Sequence, residues 1–562
     1  MTDTHFDVLI LGTALPHSIA AAALAKAGLT VLHVDSNEHY GGPQAALTPD
    51  ELAAHPWTVT HPDSAKPEQI PYARQYSISL APAVVQSAGP FIDAIVRSGV
   101  SKYGSYKLLE ALALYHPASG LLRPVPGNKE DIFRSPDLTL LEKRRLMKFL
   151  LFAAQFNHEQ HGLPDSETTM GFKQWLRTKF GLGNDLQDAV CFALAMSDIG
   201  DEHTLTALRR IKSFIDATGK YGNSPFLVPY YGGLGEIAQG FCRTCAVHGG
   251  VYILGRPVDR LERLNDDLIS NGKAQIQQEM ENEPGVDKKS TPERWQIILN
   301  GVPDALTASV VLASVEDLPT SVRPVGIAPV SERSMACTVV ITDTPVKVKL
   351  ATPATERDDA SPSSESPSDG AVAGSDRLAD TDPPQRGTDA TSTVPSDPWI
   401  LEASTPQGPD DALIVFPPGS VPNGKLACAV RALSTGPKSN TTPTGRWLTH
   451  VFATDCTDSQ LLTPYVDAVL QGHAPLHQRH FVARSSQWSN PINNDPALVL
   501  VDSIPLASPA EIGDIATRTA QHAFWNTMRV LRPDVAEGHD DTERIWPQEE
   551  KDADNEVAEE EW

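Results

Sequence analysis

The first 35 residues constrain the fold most. An apolar run over 6–11 predicts a buried strand. A turn opening at Gly12 leads into an Ala-rich helix over about 16–26, and a second strand over 30–34 ends in Asp35. Strand, turn, helix and strand, with an acid 23 residues after Gly12, have the layout of a dinucleotide-binding βαβ unit. The turn breaks the pattern it belongs to. It reads Gly12-Thr13-Ala14-Leu15-Pro16-His17 where G-x-G-x-x-G is expected. Gly12 keeps the tight turn, but Ala14 sets a methyl where a pyrophosphate approaches the backbone, and His17 sets an imidazole where helix and strand pack closely. Pro16 also removes an N–H from the helix start that would hold an anion. The three changes together predict a βαβ unit kept as architecture, with no cofactor.

The rest of the chain fits a large α/β protein. Its 562 residues can form two or three domains, and 40% apolar residues supply a sizeable core. No apolar run reaches the ~18–20 residues of a membrane span. The opening MTDTHFDVLI has acids where a secretion signal has Lys or Arg, so a cytoplasmic protein is expected and the sequon at Asn440 should stay unglycosylated. The last residues, Glu559-Glu560-Glu561-Trp562, carry no prenylation box. Six cysteines are too few for a disulfide scaffold and fit a reducing compartment.

The net charge of −25 is unevenly placed: residues 351–397 carry −7 and residues 533–562 carry −11. The remaining body is only mildly acidic, and with no basic stripe it is a poor partner for nucleic acid. The first acidic stretch is rich in Ser, Pro, Thr and Asp and poor in large apolar residues, which predicts a disordered insertion. Strand patterning at 337–341 before it, and at 412–416 and 425–432 after it, indicates a domain interrupted and resumed. Residues 265–294 read as a long hairpin loop, and the segment after 533 as a flexible acidic tail. Between 131 and 219 the pattern turns helical: 139–156 (with Thr139 and Glu142 at capping-box spacing), 168–180, 184–196 and 202–218. The expected fold class is therefore α/β, a discontinuous FAD/NAD(P)-binding-like domain of Rossmann type with an inserted all-helical domain. Its parts are 1–130, 220–350 and 398–532, with the helical domain at 131–219.

Cys242-Arg243-Thr244-Cys245 is a C-x-x-C, but it falls inside an expected helix and no second pair completes a zinc site, so two small buried thiols are expected. The 17 histidines show no metal-ligand spacing, and neither G-x-S-x-G nor a P-loop occurs. No catalytic or metal-ligating residue is assigned.

Four stretches carry a family resemblance: the opening unit, GVSKYGSYKLLE at 99–110, LLEKRRLMKFLLF at 140–152, and YGNSPFLVPYYGGLGEIAQGFCRTCAVHGGVYIL at 221–254. They resemble the Rab escort protein/Rab GDP-dissociation inhibitor superfamily, from Phe6 to about Thr342 and again from about Ala412 to Leu531. The resemblance implies a flavoprotein-like scaffold that binds a protein instead of a flavin. It implies a Rab-binding platform at Tyr40, Glu236, Arg243, Val251, Tyr252 and Ile253, and a mobile loop at Tyr221, Gly222, Ser224, Pro225 and Phe226 that contacts the Rab C-terminal segment. Two positions depart from the family pattern: His39 stands where a second Tyr is usual, and YYGGLGE carries an extra Gly. Glu236 and Arg243, seven apart on an expected helix, share one face, as an interface pair or a solvated pair would.

The superfamily divides into inhibitors, which extract prenylated Rab from membranes, and escort proteins, which present unprenylated, GDP-bound Rab to the geranylgeranyltransferase heterodimer and deliver the product to membranes. GFCRTCAVHGGVYIL and the large insertions resemble the escort branch, where an aromatic at Phe152 docks on the transferase. Helical spacing with Leu146, Phe149, Leu150 and Phe156 equally allows Phe152 as a core residue. The geranylgeranyl chain would lie in an apolar groove walled by Leu146, Phe149, Leu150, Val190 and Leu194, residues that also suit an ordinary helical core. A working flavin oxidoreductase is the reading from a different class.

Overall fold

The computed structural model describes residues 4–59, 70–157, 163–264, 294–324, 326–349, 408–488, 495–504, 506, 508–540 and 545–546. The expected insertion at 351–397 lies outside them, as does nearly all of the 265–294 loop. The described residues all belong to one compact unit.

The opening unit forms as its pattern dictates. His5–Leu11 and Val31–Asp35 are parallel neighbours joined by helix Leu15–Lys26. Every residue of that helix from Leu15 to Ala25 is buried. The alanines make this feasible, because side chains of one carbon let helices Leu234–Val247 and Ile512–Leu531 pack closely against it. The sheet runs in the order Val251–Leu254, Val31–Asp35, His5–Leu11, Leu306–Ala313, Trp295–Leu299 and Val258–Arg263, with Leu498–Leu500 also on Leu306–Ala313. Its first four strands are parallel. Val258–Arg263 and Trp295–Leu299 pair antiparallel, so the 265–294 insertion joins the two arms of a hairpin as expected.

An eight-stranded sheet lies elsewhere in the unit. It runs from Thr58–Val59 through His477–Trp488, Pro329–Thr342, Trp447–Thr454, Val430–Thr435, Ala412–Phe416 and Ala111–His116 to Leu121–Pro124. Ala412–Phe416 resumes within the sheet left at Thr342, as an interrupted domain requires. The strand expected over 425–432 is shifted to Val430–Thr435, where both neighbouring strands bury it.

The helical region contains Leu140–Gln155, Phe172–Phe180, Asn184–Asp188 and Thr204–Ala217. Thr139 and Glu142 form the expected reciprocal capping box. The helix expected over 184–196 becomes a π-helix at Ala189–Leu194, an i→i+5 turn that costs stability and tends to mark functional positions. The helices do not enclose a core of their own. Phe149, Trp175 and Phe192 share one apolar cluster with Leu413, Val415 and Phe481 of the eight-stranded sheet. Buried Arg431 ties the two parts together: its guanidinium donates to Asp198 at 2.6 Å, to the carbonyl of Met196 at 2.6 Å and to that of Ser197 at 3.0 Å. Burial alone would raise the Asp198 carboxyl, but Arg431 holds it below its usual range.

The flexible acidic tail expected after 533 needs correction in its first part. Arg532 donates to the carbonyls of Ala27 and Gly28, Pro533–Ala536 forms a helical turn, and Ala536, Ile545 and Trp546 are buried. Trp546 stacks on Phe241 with ring centroids 6.2 Å apart, under the ammonium of Lys26. The high acid count masks these large apolar residues, whose burial outweighs the charge around them. Trp546→Ala should cost about 3 kcal/mol of stability, as aromatic truncations in cores do. Urea unfolding measures this, and an unchanged midpoint would show that the segment is not packed.

Candidate functional site

The turn after the first strand is closed by the chain's own groups. Gly12 takes φ +84°, and a Cβ there would lie 2.6 Å from the Asp317 carboxylate. Thr13 donates its N–H and its hydroxyl to one Asp35 oxygen, at 2.8 and 2.6 Å, and Asn37 donates its N–H and side-chain amide to the other. The Thr13 hydroxyl in turn accepts the N–H of Gly41 at 3.0 Å. Gln44 accepts the N–H of Leu15, the first free donor of the helix, at 3.2 Å. Ala14 pairs with Gly41, so the 41–44 turn lies along the mouth of the βαβ unit. The helix N-terminus that would hold a phosphate and the acid that would hold a ribose are both engaged internally. These residues do not fit a dinucleotide.

Behind the turn sit two buried histidines. His33 Nε2 lies 2.6 Å from the carbonyl of Gly12, so that nitrogen carries the proton, and Nδ1 accepts from the Tyr252 hydroxyl at 3.2 Å. His17 makes no hydrogen bond among the described residues, and its Nε2 is 3.9 Å from the exposed Asp317. Burial lowers the pKa of His17 to about 3 and of His33 to about 4, while Asp317 is raised to about 7.

The platform residues divide between the two faces of the first sheet. Helix Leu234–Val247 carries Glu236, half-buried, and Arg243, exposed. The Arg243 guanidinium lies 4.5 Å over the ring of Tyr103, which pre-orients it at the surface. Burial raises the pKa of the Glu236 carboxyl. Tyr40 stands edge-on to Tyr252 at 6.1 Å, on the same side as the helix. Tyr252 turns its phenol inward toward His33, Cys242 and Cys245, and burial raises its pKa well above the ordinary value. It therefore supports Tyr40 from below. Val251 and Ile253, alternating along the edge strand, pack on the opposite face. Two of the glycines in YYGGLGE have steric reasons. Gly235 starts the helix so close to the 41–46 segment that a Cβ would meet the Ala46 nitrogen at 2.8 Å and the Gln44 oxygen at 2.9 Å. Gly232, at φ +91°, likewise fits against Ser77 and Ala46.

This close approach frames a cleft of about 390 Å³ between Tyr40, Tyr231, Glu236 and Gln239, with His39 and Ser77 also on its walls. Tyr103, Tyr231 and Gln239 were not singled out from the sequence. Tyr231 shows its only signal in a positive φ that no sequence pattern announces.

The other expected residues are placed as follows. Of the five loop positions, Tyr221 alone is exposed; Phe226 is buried against Phe214, and Ser87 donates twice to the carbonyl of Pro225. Gly222, at φ +146°, would place a Cβ 2.4 Å from Leu108. Ser224 bonds back to Phe226. Phe152 is half-buried among Phe156, Trp175 and Phe180, with ring centroids 5.5–6.1 Å away, and Lys179 lies over its ring. Leu146, Phe149, Leu150, Val190 and Leu194 are buried in the large apolar cluster. Cys242 and Cys245 are free, buried thiols, pushed up by burial to about 12 and about 11. Among the described residues no group of His, Cys, Asp and Glu could hold a metal ion, and no helix is long and apolar enough to cross a membrane.

A family model described as GDP dissociation inhibitor matches residues 2–282, half of the chain. The chain belongs to the GDP dissociation inhibitor family. It is 31% identical over 275 residues to Rab GDP dissociation inhibitor beta of Canis lupus familiaris, which covers 48% of this chain and 58% of that relative. The chain thus spans less than two thirds of the relative's length. A crystal structure of Rab GDI from Plasmodium falciparum shares the fold, with a TM-score of 0.61 at 17% identity over 95% of this chain and 99% of that one. All six platform positions and the closed turn fall inside the family match.

The two histidines predict a pH dependence. The folded chain keeps them neutral to about pH 4, whereas the unfolded chain protonates them as pH falls through 6.5. The stability they contribute is present above pH 6.5 and is lost as pH falls towards 4, on the order of 1–2 kcal/mol each between pH 7 and 5. Asp317, raised in the fold, acts in the opposite sense over pH 4–7. In His17→Leu, urea midpoints at pH 7 and pH 5 should differ by less than in the unaltered chain. An equal or larger fall would contradict a neutral buried His17.

Proposed function

We propose that this family member binds Rab GTPases through the face that carries Tyr40, Glu236 and Arg243, and that it acts without catalysis of its own. The observation that carries this reading is the exposed Arg243, held over Tyr103 beside a half-buried carboxylate and a tyrosine-lined cleft, within the stretch matched to the family. Arg and Tyr are favoured interface anchors because each couples a large contact area to directed hydrogen bonds. Val251 and Ile253 would contribute through the edge of the strand, and Tyr252 by holding Tyr40.

Within the family we favour an escort role, in which the chain presents GDP-bound, unprenylated Rab to the geranylgeranyltransferase heterodimer and then delivers it to membranes from the cytoplasm. Phe152 would touch the transferase, helped by the exposed Leu151 beside it on the helix. The Tyr221 end of the 221–226 segment would meet the Rab C-terminal segment. The lipid would enter between the Leu140–Gln155 helix and the π-helical turn, where Val190 and Leu194 already pack with Leu146, Phe149 and Leu150. The π turn supports this placement, because single π-helical turns within helices occur frequently at functional sites. The domain divisions at 131 and 219 would then separate the lipid and transferase side from the Rab side.

Arg243→Ala should weaken Rab binding by about 1–3 kcal/mol with little change in melting temperature. Titration calorimetry with a GDP-loaded Rab measures this; unchanged affinity would remove Arg243 from the interface. Phe152→Ala should leave Rab affinity unchanged, cost about 1–2 kcal/mol of stability from its half-buried ring, and abolish support of Rab prenylation by the purified heterodimer. An unaltered chain that extracts prenylated Rab from membranes but fails to support prenylation would identify an inhibitor instead.

A further inference from the structure

A cleft of about 840 Å³ lies away from the Tyr40 face. Helix Pro90–Arg97, helix Ile512–Leu531, Lys220–Tyr221 and Trp546 line it. Its charge runs against that of the chain. Arg97, Lys220 and Arg518 stand on its walls with His522, and Asp93 is the one carboxylate among its described lining residues. The nearby Asp514 accepts the N–H of Phe91 at 3.0 Å and feels the charge of Arg518 one turn along its helix. No direct ion pair to Arg97, Lys220 or Arg518 is seen among the described residues, and Asp514 is the one carboxylate whose titration Arg518 influences there. The walls between them are apolar, at Ile92, Ala94 and Val96. Trp546 is almost fully buried in the lining, yet its indole N–H meets no acceptor among the described residues.

This cationic cleft with an unused buried donor is suited to carboxylates. The chain leaves it carrying them: the 16 residues that follow Trp546 hold eight acids and one lysine, a net charge of −7. Fully extended they reach roughly 55 Å, more than enough to cross the cleft from a point of attachment in its wall. A segment tethered in this way sits at an effective concentration of about millimolar, so even weak charge pairing fills the site.

We propose that the cleft is an acidic-peptide site whose occupant is this chain's own residues 547–562. Trp546 anchors the segment, Arg97, Lys220 and Arg518 take its carboxylates, and a segment so seated covers Tyr221 on the rim.

Zero-length carbodiimide cross-linking of the full chain tests this, because it joins a lysine to a carboxylate only when the two are in contact. Mass spectrometry should find Lys220 bonded to an acid of 549–561 within single chains. The yield should fall about tenfold in 1 M salt, where the screening length shrinks to ~3 Å. It should fall similarly in Arg97→Gln/Arg518→Gln, while the helical neighbours Lys212 and Asp216 cross-link as before. The salt arm uses the unaltered chain and so does not depend on the variant folding. Absence of the Lys220 product, an unchanged yield in both arms, or products formed only between isotopically heavy and light copies would overturn the proposal.

Discussion

The Asp35 carboxylate, held by Thr13 and Asn37, is the interaction on which the candidate site depends. It lies at the end of the second parallel strand, where a nucleotide-binding sheet would present an acid to a ribose. Here the acid is spent on the backbone and hydroxyl of the preceding turn, and that hydroxyl fixes the N–H of Gly41. The 41–44 turn is thereby drawn over the mouth of the βαβ unit, and Gln44 takes the free N–H of Leu15. A crevice that would enclose a small molecule becomes a solid floor. Buried charge of this kind persists only when its hydrogen bonds are met, and the Asp35 carboxylate receives four from Thr13 and Asn37.

Everything on the Tyr40 face is built on that floor. With the 41–44 turn in place, helix Leu234–Val247 can approach only if position 235 lacks a side chain, which is why Gly235 meets the backbone of 44–46 directly. The approach sets Glu236 in a partly dry position and carries Arg243 two turns along the same face to the ring of Tyr103. Tyr252, held by His33, keeps Tyr40 upright. The same buried histidine therefore touches both the closed turn, at the Gly12 carbonyl, and the support of the surface.

Where structure follows from neighbours in sequence, it was legible in advance. The opening strands and helix are set by apolar runs and an alanine stretch, and the start of Leu140–Gln155 by Thr139 and Glu142 three residues apart. The degenerate turn pointed to a lost cofactor site, but not to what fills it, since Gln44 and Leu15 are 29 residues apart. Long-range pairing hid more. Arg431 reaches Met196–Asp198 across more than 230 residues, so the helical region joins the core of the large sheet in a way no local pattern could show. Which way Tyr252 faces depends on the strand's place at a sheet edge, and Trp546 was concealed by the acids around it.

A protein partner that covers the face above the closed turn must leave a footprint there. Hydrogen–deuterium exchange of the full chain, with and without a GDP-loaded Rab, tests it most directly. Exchange should slow in peptides spanning 36–46 and 231–248, with little change along the buried Leu15–Lys26 helix, whose amides are already protected. Rab binding that leaves 36–46 and 231–248 unchanged and protects another surface instead would contradict it.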